Sequence, residues 1–419
     1  MRSIRRVLVA APVILFALAA GLWPAEPGYG QGKPKAYTAS IPSTDAFGNP
    51  LTPAQASANS TLATFPYTVV STRDGKSYSG VMVGESPFGS NFSTTTITTP
   101  IIPVILTTHR IATKADPNGS VIATTQGTTV FDPMAADPCL SSPNNVPFTL
   151  MEQSPLFEPT DFKFGNTKIG TTQYIDAFQR ANFWQFVGGT NYHTILDPQI
   201  YPAVSIDIPG DQGFAIPANL PVPVDCGPEA VVNIDYMSQQ VLPRLLASEG
   251  VNPSQFPIFL FHNTVLTLSA YKGFYILGYH SAIVSPTFNG IRGQGPPGAP
   301  VQTYAFIDFE TSGFFDPFVP NTSIAAHEIG EWMDDPFVNN PTPAWGHSGQ
   351  QAGCQSNLEV GDPLTGTDVI VNGSNGFAYH LQELAFFSWF YGGPSIAANG
   401  WFSDNNTFTS DAGSVCTKH

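Results

Sequence analysis

The chain has 419 residues, of which 42% are hydrophobic and only 11% charged, with 39 Pro and 38 Gly. So little charge excludes a disordered polyelectrolyte, and the length allows two domains with sizeable cores and many neutral loops. Acidic residues outnumber basic ones 31 to 16, a formal charge of −15 that argues against nucleic acid or anionic lipid as a partner.

Arg2, Arg5 and Arg6 precede an apolar run over residues 7–22 that contains Ala17, Ala19 and Ala20. This order is the pattern of a secretory signal peptide over residues 1–20, whose removal takes the charge to −15 − 3 = −18. The mature protein is expected outside the cytoplasm, extracellular or periplasmic, with no membrane attachment. An even count of four cysteines in an exported chain points to two disulfides, and the absence of a CxxC pair argues against a thiolate zinc site or thioredoxin-like chemistry. Three connectivities are open. Pairing Cys139 with Cys226 and Cys354 with Cys416 closes each loop within one region.

Residues 21–63 are rich in Pro, Ser, Thr and Ala without periodicity and read as an exposed lead-in segment. Residues 64–150 form a β-rich N-terminal unit. It begins with a hairpin of strands 67–72 and 78–83 around the turn Arg73-Asp74-Gly75-Lys76. Two β-branched runs, 94–99 and 101–108, follow, with Pro100 and Pro103 implying an edge or a bend. Residues 151–419 change texture. Tyr174, Ala177, Phe178 and Ala181 share one face of a packing helix, and a second helix is expected over 230–248, kinked at Pro243 and ended by Gly250. Strands are expected at 256–261, 274–284 and 303–310, with a Pro/Gly-rich loop at 285–300. The fold class is therefore α+β, a β-rich unit followed by a domain with a mixed sheet.

The segment 321–336 offers Asn321, Thr322 or Ser323 as N-cap and Pro336 as stop, so it reads as one short helix. At 3.6 residues per turn, His327 and Glu331 stand at i and i+4 and project from one face, where an imidazole and a carboxylate can grip one ion. Glu328, one step round, is then placed to act as a general base.

This run resembles a zincin active-site helix, with HExxE in place of HExxH. The later Leu358-Glu359-Val360-Gly361-Asp362 is similar to the segment from which glutamate-type zincins supply a third ligand, and the order of strands before the helix also resembles the upper half of that fold, where an edge strand lines the cleft. A weaker similarity, through residues 327–336, Trp345 and 359–362, links the chain to the EXORDIUM or phosphate-induced secreted proteins. Together these resemblances cover roughly residues 170–419 and imply a zincin-like domain over 151–419. They imply His327, Glu331 and Glu359 as ligands of a divalent metal, zinc first, with Glu328 as catalytic base and Asp362 orienting His327. Peptide or protein would be the substrate.

Replacing the second histidine by Glu331 makes the ion a poorer Lewis acid and admits manganese, iron or calcium. A solvated acidic helix end of Glu328, Glu331, Asp334 and Asp335 is the plainer alternative, and the buried character of Ile324, Ala325, Ala326, Ile329 and Trp332 argues against it. His280, on a strand, could contact substrate, although a satisfied core histidine is the more ordinary reading. His380 is a fallback ligand beside an aromatic stretch, Phe386 to Tyr391, that reads as core. Two further classes stay open: a non-catalytic extracellular binding or matrix-associated protein that keeps the scaffold, and a glycan-active enzyme using paired carboxylates.

Overall fold

A run of Thr and Ile forms one strand of 22 residues, β1 (Thr94–Ala115), where two shorter strands broken by proline are expected. Along one edge β1 pairs in parallel with His193–Ile200 as far as Ile101, then with Val204–Ile208 from Val104. On its other edge only Ile101, Ile102 and Pro103 pair with the strand Ile258–His262. Pro100 and Pro103 thus flank the point where partners are exchanged, and a missing N–H is best tolerated there. The computed structural model describes residues 36–38, 51–115, 121–141, 145–218, 220, 226–268, 275–284, 300–315, 319–346, 354–411 and 416. The expected signal peptide and most of the 285–300 loop lie outside them.

Six further strands close a ring with β1: β2 (Gly213–Ile216), β3 (Glu229–Asn233), β4 (Ile258–His262), β5 (Thr264–Thr267), β6 (Tyr275–Val284) and β7 (Val301–Phe309). Their order is β6-β5-β3-β2-β1-β4-β7, and antiparallel pairing of β7 with β6, from Gly278↔Ile307 to Val284↔Val301, joins the ends. The sheet mixes parallel and antiparallel ladders and the molecule carries helices beside it, so the α+β class holds. Pairing runs across residue 150, since β1 shares its sheet with strands from 193 to 309. The strand that carries His280 pairs with β7 along Gly278–Val284 and with β5 only at Tyr275 and Ile276, so His280 has one strand partner, Ala305.

The hairpin forms as Thr64–Val70 against Ser77–Val83, with Gly75 at φ +70 supplying the turn. The expected helix over 230–248 is shorter: Ala230, Val231 and Val232 belong to β3, paired with β2 and β5, and helical structure starts at Ile234. Three apolar residues flanked by two ladders gain more as a central strand than as a helical turn. A π-turn at Met237–Val241 precedes Pro243 and absorbs its missing donor. The lead-in segment is not wholly exposed. Ala36–Thr38 adds to β6 in parallel, and Pro53–Ala58 is a helix with a Thr52/Gln55 capping box that buries Ala56.

Two helices pack on the ring, α1 (Tyr174–Asn182) and α2 (Ser323–Asp334). Ile324, Ile329 and Trp332 of α2 join a core with Leu260, Leu277 and the aromatic helix Phe387–Tyr391, and Trp332 stacks on Phe256 with centroids 3.7 Å apart. A separate core of Val104, Phe259, Tyr279, Tyr304 and Phe306 packs with Met237 and Leu242. Both expected disulfides, Cys139–Cys226 and Cys354–Cys416, are present, with Cα atoms 5.8 and 5.5 Å apart. No helix among the described residues is long and apolar enough to cross a membrane.

Candidate metal centre

Thr322 holds the N-cap position of α2 but makes no side-chain capping bond, its hydroxyl donating to the His380 carbonyl instead; the helix stops one residue short of Pro336, and every one of its residues is buried. That burial removes the solvated-end reading: Glu328, Asp334 and Asp335 are 0% exposed and Glu331 3%. Glycines set how closely the helix is held. A Cβ on Gly278 of β6 would stand 2.5 Å from Ile324 Cγ2 and 2.8 Å from Glu328 Oε1, and one on Gly330 would stand 2.5 Å from Leu384 Cδ1.

His327 and Glu331 meet as the i, i+4 spacing requires, with Nε2 3.0 Å from Oε1. Nε2 nevertheless makes no hydrogen bond. Its state follows from Gln382, whose Nε2 donates to the Gly361 carbonyl at 2.7 Å and whose Oε1 faces His327 Nδ1 at 3.0 Å. A carbonyl only accepts, so Gln382 must turn its amide nitrogen to Gly361 and its oxygen to His327; Nδ1 then carries a proton, and Nε2 is the ring nitrogen left facing Glu331. Asp362 Oδ1 lies 3.7 Å from the same Nε2. Backbone N–H groups of Gly361 and Asp362 donate to Glu331 Oε1 at 3.2 and 3.1 Å, and Gln355 Nε2 donates to Asp362 Oδ2 at 2.7 Å.

On the other side of Glu331 stands His280. Its Nδ1 is 3.2 Å from Glu328 Oε2 and 3.7 Å from Glu331 Oε2. Its Nε2 is 3.1 Å from the Asp335 carbonyl, which can only accept, and 4.0 Å from Glu359 Oε2. Nε2 therefore holds a proton, and a second proton lies between Nδ1 and Glu328. Asn357 Nδ2 donates to Glu359 Oε1 at 2.6 Å. Asp335 turns its carboxylate to the N–H groups of Asn339 and Asn340 at the helix end.

Burial dominates the electrostatics. It pushes the Glu328 carboxyl up to about 8, against the opposing pull of His327, and Asp334 and Asp335 to about 7. Glu331 is raised well above the usual range by burial, then by Asp362 and Glu328; Glu359 is raised by burial, then by Glu331. Carboxylates this crowded and dehydrated must hold protons or a cation.

Two overlapping groups have ligand atoms mutually within 4.8 Å, namely His327, Glu331 and Asp362, and His280, Glu328 and Glu331. The first fits a divalent transition metal: one imidazole nitrogen aimed at the group, two carboxylates, and an amide that orients the imidazole from behind. Asp362, expected to orient His327, is a member of this group. Glu359, expected as third ligand, is in neither and approaches Glu331 and His280 instead. The Asp362–Leu364 3₁₀ turn explains the geometry, because it anchors its first N–H groups on Glu331 and carries the Asp362 side chain toward His327. His380 is elsewhere, with Nδ1 3.2 Å from Asp368 Oδ2.

Gln382, Gly361 and Gly278 touch the centre and are positions that pattern reading did not find. The only signal was alternation along Ala378–Gln382, which puts Gln382 on the same strand side as His380. No family model, curated protein or solved structure matches the chain. Fold and site together define an α+β protein with a mixed sheet and a buried histidine-carboxylate centre on one helix.

Proposed function

We propose that the protein is an exported metal-dependent hydrolase, peptidase-like in its chemistry, in which His327, Glu331 and Asp362 hold one divalent ion, zinc first. The observation that carries this reading is the His327 Nε2 atom, buried, without a hydrogen bond, and 3.0 and 3.7 Å from two carboxylates. The HExxE helix and the 359–362 segment, similar to zincins, support it, and the two disulfides suit an exported protein. A bound ion would polarise a substrate carbonyl and allow water to act as nucleophile near neutral pH. Glu328 is the general base: positive charge beside it would favour its ionised form, and His280 Nδ1 at 3.2 Å can take or return the proton they share. Glu328→Gln should lower cleavage of a broad peptide library by about 10²-fold or more while the metal content stays that of the wild type. Unchanged cleavage in that variant would remove Glu328 from the reaction.

A second reading has its own observation. His280, His327, Glu328 and Glu359 are 0% exposed, and Glu331 and Asp362 3%, which suits an ion that holds the fold in an extracellular binding or matrix-associated protein. Tight metal, a large loss of thermal stability on chelation and no peptide cleavage would select this reading over the first.

A further inference from the structure

A second group of carboxylates is buried away from His327. Glu229 opens β3, Asp308 is the penultimate residue of β7, and Glu310 follows that strand directly. All three are 0% exposed, and one oxygen from each lies within 4.8 Å of the others. Asp308 Oδ1 accepts from Thr264 N at 2.9 Å, while Glu310 Oε1 accepts from Ser312 Oγ at 2.6 Å and Gly313 N at 2.9 Å. Each of these carboxylates is thus fixed by one oxygen. The other oxygens, Asp308 Oδ2 and Glu310 Oε2, and both oxygens of Glu229 accept no hydrogen bond as carboxylates; Glu229 adjoins Glu310 and Ser312, and Asp308 adjoins Glu310, so a proton on the trio would be shared between carboxyls. Among the described residues no Lys or Arg forms an ion pair with any of the three.

We propose that Glu229, Asp308 and Glu310 form a second cation site, independent of the His327 centre, that takes a hard divalent cation of the calcium class. Its free donors are four carboxylate oxygens with no nitrogen or sulfur among them, the set preferred by calcium and, less tightly, by manganese. A buried oxygen left unsatisfied is costly, more so when charged, so four together need a compensating cation or protons. Burial is the first cause that raises all three carboxyl pKa values, which describes the same trio when it holds protons. Donors from β5 and from the turn after β7 have already oriented Asp308 and Glu310, so little ordering is left for binding.

The position gives the ion a purpose. Thr264 ties the group to β5, and the Glu310 carbonyl accepts from Asn321 N at 2.8 Å, just before the cap of α2. Cys226 N donates to the Ser312 carbonyl at 2.8 Å, which links the same turn to the Cys139–Cys226 disulfide. A cation here would fasten the end of the ring from which the chain leaves for the metal-bearing helix.

The test uses the full, disulfide-intact chain, stripped of metal and titrated with Ca²⁺ while thermal unfolding is followed. Ca²⁺ should raise Tm in the wild type and in His327→Ala alike, and Glu229→Gln should weaken the Ca²⁺ response at least tenfold. A shift that disappears in His327→Ala assigns the cation to the other centre and overturns the proposal, as does a shift that Glu229→Gln leaves unchanged. Should Glu229→Gln fail to fold, wild-type crystals soaked in Mn²⁺ decide the matter. An anomalous peak among the three carboxylates supports the site, and a map without one identifies a proton-linked trio instead.

Discussion

Gln382 determines which nitrogen of His327 carries the proton. Its amide donates to Gly361 on one side and accepts from His327 Nδ1 at 3.0 Å on the other, so the imidazole turns Nε2 to Glu331 and Asp362. Partners behind a ligating histidine commonly govern affinity by about 10–100-fold. Gln382→Met is close in volume and keeps neither bond. It should weaken metal binding by that factor in a competition titration with a chromogenic chelator, and unchanged affinity would show that Gln382 serves packing alone.

Gly361 lies against the face of the same imidazole. Its backbone, at φ −85 and ψ −39, suits any residue, but a Cβ would stand 2.6 Å from His327 Cγ and 2.7 Å from Nδ1. The cost of alanine there is therefore steric. Gly361→Ala should lose about 1–3 kcal/mol of stability by denaturant unfolding, the usual range for overpacking, and should lower metal affinity as His327 is displaced. Wild-type stability together with wild-type affinity in this variant would contradict the close packing.

The raised carboxyls set the pH dependence of the metal-free protein. Glu328 titrates near 8 when folded and near 4.5 unfolded; Asp334 and Asp335 titrate near 7 against 3.8. Between these values the folded state binds more protons than the unfolded state, so stability is full below about 4 and is lost as pH rises toward 8. In chelator, Tm should fall steadily from pH 5 to pH 8. Saturating zinc should flatten or reverse that slope, because ligands bind the ion in their deprotonated form. A Tm that rises with pH in chelator would contradict the buried, proton-holding carboxyls.

Much of the local structure could be read from the sequence. Helix 323–334 before Pro336, and the hairpin around Gly75, follow from spacing and turn chemistry alone, although Thr322 makes no side-chain capping bond. Closure of the ring did not, because β1 pairs with strands a hundred or more residues away and no local pattern encodes which partner an apolar run will choose. For the same reason 230–233 read as helix: its apolar residues suit either element until β2 and β5 flank them. At the site, His327 and Glu331 were legible because one helix sets their distance. Asp362, His280 and Gln382 come from a 3₁₀ turn and two strands, and their convergence is tertiary. The Glu229, Asp308 and Glu310 group was invisible, since Glu229 is about eighty residues from the other two.

The central claim is a divalent ion held by His327, Glu331 and Asp362, and anomalous diffraction tests it most directly. Crystals of the full chain purified with zinc would be measured above and below the zinc edge. The account predicts a peak bonded to His327 Nε2, with Glu331 and Asp362 as its carboxylate neighbours and Gln382 still behind Nδ1. A map with no peak there, and His327 Nε2 still 3.0 Å from Glu331, would contradict it.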